Sequence, residues 1–193
     1  KAEKRSMDVK AKKLRREGYV TGNLFGREIE GSIPLKFTKK EIEVLLKNNN
    51  KGSQVMLELD GKTYDALIKE VDYNPLAHTV EEVDFQALVS NEMVHSVAEI
   101  ILENEEMVVS GVLQDELKEV AYKALPADLV DKIKVDVAGM KIGDTLRVKD
   151  LEIAKNKNIH ITTDLESVIA TVTPVHNVVP EAETETEDAA EEK

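Results

Sequence analysis

The chain of 193 residues contains no cysteine and no tryptophan. Disulfides, thiolate metal sites and a Cys–His nucleophile are thereby excluded. A reducing compartment suits such a chain, and the cytoplasm is the expected location. Aromatic residues make up only 4% of it, so any core has to be built from Val, Ile and Leu. No apolar run approaches the roughly 20 residues that a membrane helix needs. The opening "KAEKRSMD" has no hydrophobic region behind it, so no secretory signal is expected. His78, His95, His160 and His176 are scattered over different segments, with no i, i+4 pair to suggest a metal site. There is no G-x-S-x-G motif, and "GREIEG" lacks the Lys-Ser/Thr of a phosphate-cradling loop. No catalytic residue, metal, cofactor, small-molecule substrate or membrane partner is expected. Glu81, Glu82 and Asp144 read as surface charge or turn chemistry.

What the chain does have is charge, unevenly placed. Its formal net charge is -12, yet residues 1–20 hold eight Lys or Arg against three acids. Lys10, Lys12, Lys13, Arg15 and Arg16 fall within seven positions, whereas "PEAETETEDAAEEK" from Pro180 holds seven acids and one Lys. Such asymmetry assigns separate roles to the two ends. A basic end suits a polyanion, because Lys and Arg release condensed counterions when they neutralise phosphates. The alternative is a solvated surface helix. The tail composition predicts a disordered acidic segment over 179–193.

Along the chain, Met7, Ala11 and Leu14 give a narrow apolar stripe on a short cationic helix, with Gly18 placed as a C-terminal cap. "YVTGNLFGREIEGSIPLKF" reads as short strands broken by glycines. "FTKKEIEVLLKNNN" is a helix with a Thr38–Glu41 capping box and a Phe37/Ile42 staple. Alternating segments flank Asp60-Gly61, the signature of a tight hairpin. In "VEEVDFQAL" the period of two puts Val83 and Phe85 on one face, and Glu82, Asp84 and Gln86 on the other. Strand and turn signals recur from residue 92 onwards, with a short helix in "PADLVDKI". The expected class is mainly β with short helices (α+β). It comprises a small antiparallel β-barrel with two helices over 1–91, a mostly antiparallel β domain over 92–178, and the tail.

A carboxylate beside a cationic helix makes sense if it reads base edges, as Asp does when it accepts from an amino group. The alternative is that Asp84 pairs with a neighbouring Lys or Arg on the sheet. "RSMDVKAKKLRREGYV…NLFG" followed by "IKEVDYNPLAHTVEEVDFQAL" resembles the bacterial ribosomal protein family that binds 5S rRNA, the Ctc-type general stress proteins. "SGVLQDELKEVAYKALPADLVDKIKVDVAGMKIGDTLRVKDL" resembles the extra C-terminal domain of its long members. The resemblance implies a non-enzymatic protein of the large ribosomal subunit. Arg5, Arg15 and Arg16, with Lys12 and Lys13 beside them, would lie on 5S rRNA, and Asp84 would make the acidic contact. Other ribosomal proteins are candidate partners of the C-terminal domain. The family commonly has Tyr where this chain has Phe25, and His where it has Glu82. The Pro usual before this strand is also missing. A glutamate accepts but does not donate when ionised. A second expectation is therefore a homologue with weakened RNA binding that acts as a stress-related protein-interaction module.

Overall fold

The computed structural model describes residues 1–108 and 111–174; the acidic tail expected at 179–193 lies outside them. The first sheet contains β1 (Glu3–Lys4), β2 (Tyr19–Phe25), β3 (Ser32–Thr38), β4 (Gln54–Leu59), β5 (Lys62–Asn74) and β6 (Thr79–Ala87), in the spatial order β1-β3-β2-β6-β5-β4. Its two ends meet where Ala2 bridges Leu59, with Ala2 N–H donating to Glu58 O at 2.8 Å. That contact closes the barrel and leaves no long free edge. Neighbouring strands are antiparallel except β2 and β6, which run parallel. The barrel is thus parallel at the β2–β6 junction and at the Ala2–Leu59 closing bridge, where the sequence predicts an antiparallel barrel.

Local chemistry explains the strands. Asp60 and Gly61 have φ of 50° and 77°, the left-handed pair that a two-residue hairpin loop between β4 and β5 demands. Gly22 is required by proximity. A Cβ there would stand 2.0 Å from Val83 O, so a side chain would force β2 and β6 apart. Alternation along β6 sends Val83 and Phe85, both fully buried, into the barrel. There Phe85 meets Phe37 with ring centroids 5.5 Å apart, among Val20, Leu24, Leu35 and Ile68. Helix α2 (Lys39–Asn48) covers one barrel opening with Ile42, Leu45 and Leu46. Its capping box is complete: Glu41 N–H donates to Thr38 Oγ1, and Thr38 N–H donates to Glu41 Oε2 at 3.1 Å. Asn49 stops it, its side-chain amide donating to Leu45 O at 2.8 Å.

Helix α1 (Ala11–Arg16) is shorter than the apolar stripe predicts. Leu14 is buried, but Met7 lies in the preceding turn and is 76% exposed. Three residues ahead of Ala11, Asp8 accepts from Ser6 in a local turn instead of continuing the helix. Gly18, with φ of 88°, ends the helix in the left-handed conformation that glycine adopts without a Cβ penalty.

Beyond residue 91 a second core is built between two sheets. One has the order β10 (Lys132–Asp136), β7 (Val94–Glu103), β9 (Glu119–Ala124), β12 (His160–Ile161). The other has β11 (Thr145–Arg147), β13 (Val168–Thr173), β8 (Val112–Asp115). Ala98, Ile100, Val120, Tyr122, Leu151 and Ile169 meet between them. All pairings are antiparallel except β7 with β10. "PADLVDKI" supplies a single 3-10 turn at Pro126–Asp128.

Candidate nucleic-acid interface

Helix α1 lies against β2, anchored by Leu14, with its cations turned outward. Between α1, the start of β2 and the end of the β5–β6 hairpin is a cleft of about 490 Å³. Lys12, Arg15, Arg16, Lys39, Tyr19 and Glu81 are among its lining residues. Four basic side chains therefore converge on one concavity of a protein that is acidic as a whole. Lys39 is the member the sequence reading missed. It reaches the cleft only because the capping box starts α2 beside α1.

The five clustered cations are not equivalent. Arg15 is strapped to β6. Its Nη1 is 3.3 Å from Glu81 Oε2, its Nη2 is 3.2 Å from Glu82 Oε2, and its Nε donates to Glu81 O at 3.2 Å. Lys13 is 3.9 Å from Glu17, one helical turn on. Lys10, Lys12 and Arg16 are exposed and have no ion pair within 4 Å among the described residues. Arg5 is half-buried. Its Nη2 donates to Val9 O at 3.0 Å, holding the segment that leads into α1, and its Nε is buried without a partner among the described residues.

The outer face of β2 and β6 carries a polar network. Asn23 sits directly opposite Asp84 across the parallel pair. Asn23 N–H and Nδ2 both donate to Asp84 Oδ1, at 3.0 and 3.1 Å, and Nδ2 also reaches Glu82 Oε1 at 3.3 Å. Asp84 is thus oriented by an amide, not by the Lys or Arg that the surface-pair alternative requires. Glu82 is a bridge between Arg15 and Asn23. Thr21, fully buried, donates from Oγ1 to Glu81 O at 3.3 Å and fixes the start of the network. Glu81 also accepts from Asn74 Nδ2 at 2.7 Å, which ties the hairpin tip to the strap. Phe25 ends β2 on the same outward register as Asn23, half-buried, opposite Gln86. Asn23 was not singled out from the sequence, although the alternation of β2 puts it on the Thr21 face. Among the described residues no group of three or more His, Asp or Glu is arranged to hold a metal ion.

The fold and this site define a two-unit β protein whose closed barrel presents a cationic cleft beside a strand face of carboxylates and amides. Residues 1–85 match the model of the Ribosomal L25p family, and residues 93–176 match that of Ribosomal protein TL5, C-terminal domain. Large ribosomal subunit protein bL25 of Carboxydothermus hydrogenoformans is 33% identical over 198 residues, covering 98% of each chain. The protein of that name from Caldicellulosiruptor saccharolyticus is 33% identical over 175 residues, 90% of this chain and 84% of its own. The one from Akkermansia muciniphila is 29% identical over 185 residues, 94% and 90% of the two chains. The chain belongs to the ribosomal L25p family, in the long form that carries a TL5-type C-terminal domain.

Proposed function

We propose that this chain is a non-enzymatic structural protein of the large ribosomal subunit, working in the cytoplasm. Its barrel, residues 1–91, binds 5S rRNA, and residues 92–178 form a separate domain that meets other components of the particle. The observation that carries this reading is the cleft in which Lys12, Arg15, Arg16 and Lys39 converge beside the Asn23–Asp84 face. Lys12 and Arg16, exposed and unpaired among the described residues, neutralise phosphates, with Lys13 close by. Arg15 positions α1, because its charge is already met by two glutamates, and Arg5 holds the segment before the helix. Asp84 and Asn23 present oriented acceptors to base amino groups or 2′-hydroxyls in the wide minor groove of A-form RNA. Phe25 offers a ring edge at the end of the same face, and Glu82 keeps Arg15 in place.

The test is the salt dependence of 5S rRNA affinity. Phosphate contacts make log affinity fall linearly with log salt. Arg16→Ala and Lys12→Ala should each flatten that slope by about one. Arg15→Ala should lower affinity with less change of slope. A chain that ignores 5S rRNA in dilute buffer refutes the reading. One observation favours the second reading, a weakened RNA binder acting through protein contacts: Glu81 and Glu82 consume the charge of Arg15. Under that reading Glu82→His raises affinity. Under the first it lowers affinity, by releasing the strap.

A further inference from the structure

The cationic cleft does not end at Lys39. Val20, Lys39, Thr79 and Val80 also line a second hollow, of about 270 Å³, which continues the first between α2 and the β5–β6 hairpin. The chemistry changes along the way. Val20, Ile42, Leu46 and Val80 give the second hollow an apolar lining, and Tyr73 and His78 supply two aromatic rings. Charge is present there too, in Lys39, Lys47 and Glu43. Glu43 is 3.8 Å from Lys39, whereas Lys47 has no ion pair within 4 Å among the described residues. One furrow thus runs from cations to rings.

The rings are fixed in place. Tyr73 Oη is 3.2 Å from His78 Nδ1. The turn between them is held separately. Asn74 Oδ1 accepts from the N–H groups of Leu76 and Ala77, both at 3.1 Å, and Asn74 Nδ2 donates to Glu81 Oε1 at 2.7 Å. Asn74 therefore braces the hairpin without help from either ring. His78 has φ of 50°, a conformation that glycine takes without steric cost. What the imidazole adds there is a ring and a bond to Tyr73. Tyr73 nevertheless stays 54% exposed. Aromatic side chains beside a cationic groove are what unpaired nucleobases stack on, because every base has a π-face and carries a phosphate. The hollow lies just below the roughly 300–1,000 Å³ of small-molecule pockets, so it suits one planar ring and not a whole cofactor. An apolar peptide could fill the same space, but it would have no use for the cations of the adjoining cleft.

We propose that this hollow takes one unpaired base of the bound RNA, stacked against Tyr73 and His78, with its flanking phosphates on Lys39 and Lys47. The chain then recognises an interruption of the RNA helix as well as its backbone. The proposal rests on the RNA-binding reading above.

Tyr73→Phe, Tyr73→Leu and Tyr73→Ala are compared with the wild-type chain for affinity to 5S rRNA and to a fully paired RNA duplex. Each is measured over a range of salt, and circular dichroism confirms that each folds. With 5S rRNA, Tyr73→Ala and Tyr73→Leu should bind roughly 5- to 150-fold more weakly, the loss of one base–aromatic stack. Tyr73→Phe keeps the ring and should stay close to wild type. The salt slope should not change in any of them, unlike that of Lys12→Ala, because no phosphate contact is removed. On the duplex, which offers no unpaired base, all should bind alike. Equal affinity of wild type and Tyr73→Ala for 5S rRNA overturns the proposal and leaves the cationic cleft standing. A Tyr73→Leu variant that matches wild type overturns it as well, since apolar bulk would then suffice. So does an equal loss on duplex and 5S rRNA, which would put Tyr73 against the backbone. A wild-type chain that ignores 5S rRNA strikes the RNA-binding reading itself, and this proposal with it.

Discussion

The two β units handle their polar groups in opposite ways. The barrel closes on itself through Ala2 and Leu59 and fills its centre with apolar side chains, Phe37 and Phe85 in contact among aliphatics. Its polar network, Arg15 with Glu81, Glu82, Asn23 and Asp84, lies on the outer face, where partners are available. The C-terminal unit leaves its sheets open and anchors one polar group inside. The Tyr122 side chain is nearly fully buried in the core, and its hydroxyl staples the Val130 backbone by both of its atoms. Apolar packing with closure fixes one unit, and a buried hydrogen-bonded pin helps fix the other. The barrel's outer network serves as a local strap for α1 and the tip of the β5–β6 hairpin, apart from the apolar core that the closed sheet encloses.

The largest expected effect breaks the barrel side of this contrast. Phe85→Ala removes a fully buried ring from the centre and should cost about 3–5 kcal/mol, the range for aromatic truncation in cores. Followed by denaturant unfolding with probes in each unit, the loss should appear in the barrel transition. If the C-terminal transition moves equally, the units form one cooperative body and the contrast is false.

Tyr122→Phe does the same to the other side. The ring stays and the core volume is almost unchanged, but Val130 N–H and O lose their partner. Leaving buried backbone groups unpaired costs about 1–3 kcal/mol. A loss below that range in the C-terminal transition would show that the hydroxyl is not the pin described here. The Tyr122 phenol is pushed up by burial, so it stays protonated and the effect should not vary across neutral pH.

These elements differ in how far the sequence reveals them, and the reason is separation along the chain. The Asp60-Gly61 hairpin, the Thr38–Glu41 capping box and the Val83/Phe85 alternation each rest on residues a few positions apart. Local geometry decides them, so composition and period suffice. The parallel pairing of β2 with β6 joins Asn23 to Asp84, 61 positions apart, and Arg15 finds Glu82 across 67. No local rule announces such partners. Cations counted together in the sequence thus divide into a strap, Arg15, a strut, Arg5, and exposed charges, Lys12 and Arg16. Met7 shows the converse error: i, i+4, i+7 spacing predicts one helical face, but the turn made by Ser6 and Asp8 starts the helix later.

The smallest effect concerns a polar group that the barrel unit does use for its own fold, the cap of α2. Thr38 Oγ1 donates to Glu41 Oε2 at 2.7 Å, and this bond, aided by the Thr38 backbone against a burial cost, holds the Glu41 carboxyl below its ordinary value. A carboxylate with a lowered folded-state pKa contributes stability that is present above the ordinary carboxylate range and lost as pH falls through the folded value. Thr38→Ala should cost about 1 kcal/mol at neutral pH, as N-cap removal does. It should also remove part of the acid-side decline, so that wild type and variant converge as Glu41 protonates. The measurement is the difference in barrel stability between the two proteins from pH 7 down to pH 3. A difference that stays constant over that interval would mean that Thr38 acts through its backbone preference alone. The cap would then be geometric and not electrostatic, and the barrel would draw even less on its polar groups than the comparison with the C-terminal unit supposes.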